Sequence, residues 1–373
     1  MTIKLVPISL PPTADASKFT DIGREVRGVD PGSLSTESFE QIRDALYKVS
    51  LTPEQQYALT KAFDPESENY GHGNNKTEST KKSILHPDLK TIPRVPQVQL
   101  IGNGTVYNHE GLAEAMLKHP SHTTIHKTRV TPEDEAKGIT RFYRWHIDAA
   151  LYDLSPPKVT SLYGIHVPKG DHQICHYDDG TGDELEVPLG TTAFVSGKTM
   201  FDILPKELES LAVRSKVRYA PHPYVWMAPA HALPIGLGIE NEGLELPLSE
   251  LPPWEEARRK TLPVVWKNSV TGNLHFQVHP CGAAELIVDP LPAGASKEGA
   301  LYPDGVHSTD LKEVRDLLCK MQGPAIAPKV PQEIVFYINC LDQSIVILLN
   351  AGVCGTKQPF ASTASTASTD ATP

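Results

Sequence analysis

The sequence predicts a mainly β domain with flanking helices, and three observations carry that prediction. Between residues 139 and 204 the short β-prone runs ITRFYRWHI, KVTSLYGIHV, HQICHYDD, ELEVPLG and TTAFVSG alternate with Pro-Pro, Pro-Lys-Gly, Asp-Gly-Thr-Gly and Pro-Leu-Gly punctuation. Such spacing fits an antiparallel or mixed sheet, a barrel or a jelly roll. Ahead of these runs lie segments with helix-capping signals. Behind them, residues 332–349 are apolar and β-branched enough for one or two buried strands.

Taken in order, the first 35 residues are rich in Pro, Gly and Ser and read as a surface wrap. Ser35 or Thr36 caps a helix to about Val49, in which Phe39, Ile42, Ala45 and Leu46 recur at helical spacing. Thr52-Pro53-Glu54-Gln55 reads as a capping box with Pro at the first helical position, opening a helix toward Phe63. Both helices are expected to cover one face of a sheet. Residues 64–95 are polar, and a connection of that length is either a solvated loop or a cover over an active site. A helix is expected over Glu110 to Leu117, ahead of His119, His122 and His126. Another is expected over Met200 to Val213, followed by strands at Val217 to Tyr219, Leu262 to Trp266 and Leu274 to Val278. Ser308-Thr309-Asp310 then precedes a helix to about Met321. The organisation expected is a single domain over 1–350 with an N-terminal helical cover, and a disordered tail over 351–373. There the tract ASTASTASTDATP buries too little apolar surface to order itself.

A formal net charge of −10 argues against general nucleic-acid binding, because phosphate contacts need clustered Lys and Arg. No apolar run reaches the roughly 18 residues of a membrane span, and TIKLVPISLPP after Met1 does not read as a leader. The expected setting is cytoplasmic, with a small-molecule substrate and neither nucleic acid nor membrane as partner. Nothing in the sequence sets the oligomeric state. Five widely spaced cysteines without a CxxC indicate neither a disulfide framework nor a zinc knuckle.

The run Arg141 to Tyr152, RFYRWHIDAALY, carries the chemistry. In a strand, His146 and Asp148 project to one face while Ile147 points into the opposite layer. An imidazole and a carboxylate so placed supply two ligands to a divalent metal. With a second histidine from elsewhere they form the facial triad of non-haem Fe(II) oxygenases. The same pair also occurs as a structural His hydrogen-bonded to Asp. Arg141, Arg144 and Asp148 lie among Phe142, Tyr143 and Trp145, and charges in apolar surroundings need an ion pair or a metal.

Arg141 to Tyr152, continued by Ser155-Pro156-Pro157-Lys158-Val159-Thr160, resembles the metal-binding segment of the 2-oxoglutarate-dependent dioxygenases of the taurine dioxygenase superfamily. Within that group the chain is most similar to the fungal xanthine dioxygenase branch. The same resemblance extends through Ile92 to Gln99, Gly102-Asn103-Gly104, Val187 to Gly197, Arg214 to Tyr224, Val264 to Asn268 and Val278-His279-Pro280. It implies a double-stranded β-helix, or jelly roll, with helices packed outside. It also implies Fe(II) held by His146 and Asp148, 2-oxoglutarate and O2 as co-substrates, and Thr192 of GTTAFVSG near the 2-oxoglutarate carboxylate. The implied reaction hydroxylates xanthine to uric acid while 2-oxoglutarate is decarboxylated to succinate and CO2; another small metabolite is the alternative substrate. For the purine contacts it points to the region of Gln97, Gln99, Lys118, Asp134 and Glu135, although Thr131-Pro132-Glu133-Asp134-Glu135 is equally a solvated helix start. His166, His172, His176, His222 and His279 read as packing or supporting residues.

The family's distal iron histidine, and the arginine that clamps the co-substrate, are expected after Ile326 to Val330. This chain departs there: no histidine and no arginine follow residue 330, and the last histidine is His307. Either the C-terminal sequence is altered, or Cys340 or Asp342 substitutes as a ligand with Lys357 contacting the co-substrate, or the chain is a non-catalytic binding paralogue. A point charge from Lys does not reproduce a bidentate guanidinium. The expectation is weak binding of Fe(II) and 2-oxoglutarate by the chain as it stands.

Overall fold

Local chemistry sets the element boundaries, whereas strand pairing depends on contacts between distant residues. The structure, a computed structural model, describes residues 4–7, 24–27, 35, 37, 52–63, 90–117 and 125–326, together with the strands Val335–Ile338, Ile345–Leu349 and Val353–Lys357. Within 125–326 it leaves out 143, 148, 150, 154, 155, 157, 158, 164, 166–169, 179, 190, 191, 238–243 and 269–271. The helix expected over 36–49, the polar stretch 64–89, His119, His122 and residues beyond 357 therefore lie outside the described residues.

The capping box forms as its sequence requires. The Thr52 amide donates to Gln55 Oε1 at 2.9 Å and the Gln55 amide donates to Thr52 Oγ1 at 3.3 Å, opening the helix Pro53–Phe63. A cap of this kind contributes about 0.5–2 kcal/mol. The long helix Leu311–Ile326 starts from the expected signal too, with the Glu313 amide donating to Asp310 Oδ1 at 3.0 Å. The helix expected over Met200 to Val213 is two helices, Gly197–Asp202 and Lys206–Arg214. Pro205 separates them: it has no amide to continue the first, and its φ of −58° suits entry into the second.

The helix expected over Glu110 to Leu117 is instead a hairpin of Gly104–His109 with Leu112–Leu117. Glu110 (φ 50°) and Gly111 (φ 91°) form a two-residue loop with both φ positive. That is the turn whose twist matches paired strands. Leu112, Ala113, Glu114 and Met116 are good helix formers, and the turn overrides them.

The jelly roll does not form. Among the described residues the strands fall into eight separate small sheets, and no curled, closed barrel joins them. The largest is four-stranded and antiparallel, in the order Thr261–Pro263, Ser215–Tyr219, Ala283–Val288, Val306–Ser308. A three-stranded sheet runs Glu184–Val187, Gln173–His176, Ile139–Arg141, its last pair parallel. Thr192–Ser196 lies between Val335–Ile338 and Val353–Lys357, and Ile345–Leu349 pairs with Val159–Tyr163. The observed architecture is thus a mixed α/β arrangement of several small sheets. The physical reason is that β-prone runs specify strands one at a time, while a barrel needs every ladder to continue into the next. Here strands are three to six residues long, and register shifts fall at Thr91/Ile92, Phe194/Val195 and Arg218/Tyr219.

The main core lies between the four-stranded sheet and two helices. Val217, Tyr219, Leu286 and Val288 from the sheet meet Leu208, Leu211 and Ala212 of Lys206–Arg214, and Val314, Leu318, Met321 and Ala325 of Leu311–Ile326. The last four recur at helical spacing and build one apolar stripe. Full burial of each large aliphatic side chain contributes about 1.5–3 kcal/mol. Two further clusters stand apart. One gathers Trp226, Met227, Leu251 and Cys281, beside a buried ion pair of Arg315 Nη1 with Glu245 Oε1 at 2.5 Å. The other, Ile92, Leu100, Ala115 and Leu117, lies under the hairpin.

Candidate functional site

The strand that opens RFYRWHIDAALY ends at Arg141, so His146 is not on a β-ladder. Beyond Arg141 the backbone finds other partners. The Trp145 amide donates to the Gly236 carbonyl at 2.8 Å, and the Ala149 amide donates to the Ile147 carbonyl at 2.9 Å. The two-residue alternation expected of a strand nonetheless survives in burial. Trp145, Ile147, Ala149 and Leu151 enter the main core, while His146 stays half-buried on the other side. The core residues therefore anchor the segment on either side of His146.

His146 is oriented by its own backbone. Its Nδ1 lies 2.9 Å from the Arg144 carbonyl, which only accepts, so Nδ1 carries the proton and the lone pair sits on Nε2. A metal-ligating histidine characteristically donates its other ring N–H in this way. His146 also lines a cavity of about 10 Å3, together with Trp145, Val195, Met200, Leu237 and Gln322. Gln322 Nε2 is itself fixed by donating to the Val278 carbonyl at 3.1 Å.

His279 stands beside His146, with ring centroids 6.4 Å apart, and is fully buried. Its Nδ1 accepts from the Gly282 amide at 3.3 Å, and its own amide donates to Tyr219 Oη at 3.2 Å. Burial first, then the electrostatic influence of His146 and Arg144, holds the His279 imidazole well below its ordinary pKa. It is therefore neutral, with its proton on Nε2. The Tyr224 ring packs edge-on to His279 at 5.3 Å, and its hydroxyl donates to the Ile147 carbonyl at 3.0 Å.

The other expected residues are dispersed. Asp148 and Lys118 lie outside the described residues. Thr192 begins the strand Thr192–Ser196, whose Val195 lines the cavity beside His146. Asp134 and Glu135 sit on the short helix Pro132–Ala136 and do not line that cavity. Thr131 caps this helix by accepting from the Asp134 amide at 3.1 Å, and Lys137 Nζ donates to Asp134 Oδ1 at 3.1 Å. The Lys137 contact and the Thr131 hydroxyl hold the Asp134 carboxyl below its ordinary value. Tyr224 and Gln322 carried no sequence signal of a role here, and His279 read only as packing; proximity in the fold brings all three to His146.

The donor chemistry of His146 fits a divalent metal ligand. Among the described residues, however, no group of three His, Cys, Asp or Glu side chains is placed to hold a metal ion. No helix among the described residues is long and apolar enough to cross a membrane.

The model of the Taurine catabolism dioxygenase TauD, TfdA family matches residues 10–322. The alpha-ketoglutarate-dependent xanthine dioxygenase xanA of Emericella nidulans is 46% identical over 352 residues, covering 92% of this chain and 90% of the relative. The xanthine dioxygenase xan1 of Schizosaccharomyces pombe is 46% identical over 363 residues, covering 94% and 83%. The xanthine dioxygenase xan-1 of Neurospora crassa is 45% identical over 361 residues, covering 93% and 81%.

Proposed function

The chain belongs to the Taurine catabolism dioxygenase TauD, TfdA family of 2-oxoglutarate-dependent dioxygenases, and from that membership we propose that its substrate is xanthine. The overall reaction is xanthine plus 2-oxoglutarate plus O2 giving uric acid, succinate and CO2. The observation that carries the substrate is the 46% identity, across nine-tenths of both chains, to a relative named for xanthine.

In this reading His146 and Asp148 hold Fe(II), and Thr192 donates to a carboxylate of 2-oxoglutarate. Bound there, the metal supplies the oxidation that couples co-substrate decarboxylation to hydroxylation of the purine. The protein's part is positional. The Arg144 carbonyl fixes the His146 tautomer and leaves Nε2 as the ligating atom. Trp145 and Ile147, locked in the core, hold the backbone on either side of that imidazole. Lys118, Asp134 and Glu135 contact the purine, whose carbonyls and N–H groups require both donors and acceptors.

The test is anaerobic loading with Fe(II), 2-oxoglutarate and xanthine, followed by admission of oxygen. Uric acid and succinate forming together, with loss of both in His146→Ala, supports the reading. Succinate formed without uric acid, but with uric acid's place taken by another hydroxylated product from a different substrate, overturns xanthine while keeping the family chemistry.

A further inference from the structure

The peptide unit that leads from Ile147 into Asp148 lies between the two residues expected to hold a metal, and its carbonyl oxygen accepts twice. The Ala149 amide donates to it at 2.9 Å and the Tyr224 hydroxyl donates to it at 3.0 Å. A carbonyl has two lone pairs, so its capacity is filled, and turning this peptide plane breaks at least one of the two bonds. The first bond is local and comes with the segment. The second arrives from 77 residues further along the chain.

Tyr224 is itself held from elsewhere. It lies in the helix Pro223–Trp226, entered through His222 in the left-handed region (φ 45°) and Pro223 at the first helical position. Through Trp226 this helix joins the cluster of Met227, Leu251 and Cys281, whereas Ile147 belongs to the main core. The helix also meets the turn Pro280–Gly282 closely: a Cβ on Gly282 would come within 3.1 Å of Pro223 Cβ. The Tyr224 ring stands edge-on to His279 at 5.3 Å. Its hydroxyl therefore ties two separately packed clusters together, and does so at a peptide between the expected ligands.

We propose that Tyr224 is a positioning residue for the metal-ligating segment, its hydroxyl holding the Ile147 peptide plane and with it the direction in which the chain runs on from His146 to Asp148. The proposal rests on the reading under Proposed function in which those two residues hold Fe(II). A peptide unit is planar, so its rotation changes ψ of the residue before it and φ of the residue after it together, and the next side chain swings with the plane. Metal sites need their donors held within about 0.5 Å, so a small swing costs affinity.

The experiment titrates the full chain anaerobically with Co(II), up to roughly millimolar concentration, and follows the visible bands of the bound ion, which report its ligand geometry. Tyr224→Phe keeps a ring against His279 and removes only the hydroxyl. It is expected to weaken Co(II) binding about 2- to 10-fold, the effect of one hydrogen bond, to shift the bands, and to speed hydrogen exchange at the Ala149 amide. Tyr152→Phe is the control: it removes a hydroxyl of the same stretch of chain whose partner is the Glu255 amide at 2.9 Å, and is expected to change neither affinity nor bands. Thermal melting checks that each variant folds; should Tyr224→Phe fail, Tyr224→Leu takes its place. Unchanged affinity and bands in a folded Tyr224 variant overturn the proposal. So does an equal loss in Tyr152→Phe, the mark of a general loosening. Absence of Co(II) binding by the wild type, or binding that survives His146→Ala, overturns the metal reading and the proposal with it. A loss in Tyr224→Phe, from a wild type that makes no uric acid, supports the proposal and sinks the xanthine reading alone.

Discussion

His146 and His279 lie with ring centroids 6.4 Å apart, one half-buried and presenting a lone pair, the other enclosed and presenting a proton. The complementarity comes from two backbone contacts, the Arg144 carbonyl on one ring and the Gly282 amide on the other. Neither ring is free to exchange roles while those contacts persist.

In the proposed reading, His146 is the ligand on which metal binding depends. His146→Ala is expected to lower Fe(II) affinity by more than about 100-fold, the upper end of what loss of a supporting partner alone produces. Wild-type affinity is itself expected to be weak, since no third ligand completes the set among the described residues. Anaerobic titration measures both. One-to-one binding at roughly micromolar affinity by the wild type would contradict the second expectation.

Asp134→Asn and Glu135→Gln separate purine recognition from helix capping. If these side chains read the substrate, KM for xanthine rises about tenfold per lost hydrogen bond while KM for 2-oxoglutarate stays constant. If Asp134 serves only its helix through Lys137, both constants stay put and only a small change in thermal stability follows.

The Arg315–Glu245 pair has 1% and 4% of its side chains exposed, and the guanidinium stands 5.4 Å from the centre of the Trp226 ring. Glu245→Gln leaves a buried cation uncompensated and is expected to cost about 3–5 kcal/mol in chemical denaturation. The double variant Glu245→Leu with Arg315→Met is expected to recover most of that loss. Equal destabilisation by the single and double variants would count against the pair as the cause.

Glu285 sets an acid limit on stability. Its burial opposes ionisation, but the hydrogen bonds from His307 at 2.8 Å and Arg259 at 2.7 Å, with the charges of Arg259 and Arg218, outweigh burial and lower its pKa from 4.5. A carboxyl whose folded value is lowered stabilises the fold at pH above its unfolded value, and that contribution is lost as pH falls through the folded one. Melting curves from about pH 7 to about pH 3 should therefore lose less stability on acidification in Glu285→Gln than in wild type. At neutral pH the variant should be less stable by about 1–3 kcal/mol.

Features specified by neighbouring residues were legible in the sequence. Thr52 and Gln55 close the capping box as their spacing requires, and Ser308-Thr309-Asp310 opens the helix it announces. Ile147 turns into the core as the run predicted, joined there by Trp145, Ala149 and Leu151, although the backbone leaves the ladder at Arg141. Features specified across the chain were not legible. Pairing of Ile345–Leu349 with Val159–Tyr163 depends on which edges remain available after other strands pair, so β-prone runs alone suggest one barrel where eight small sheets form among the described residues. The Glu110-Gly111 turn is masked in the sequence because the residues after it favour a helix locally. At the site, His146 stood out by its neighbour two residues on. Gln322 did not, since only the packing of Leu311–Ile326 brings it to the cavity.

The small cluster beneath the Glu110–Gly111 hairpin shares no residue with the main core. Units with little buried apolar surface open at lower free energy than the body of a protein, so amide hydrogens in Gly104–His109 and Leu112–Leu117 should exchange with solvent before those of Ser215–Tyr219. Gln97 and Gln99 ride on Val95–Leu100, which contributes Leu100 to that same cluster. The segment carrying His146 packs instead into the main core through Trp145, Ile147, Ala149 and Leu151. Opening of the hairpin unit is therefore expected to leave the His146 segment in place.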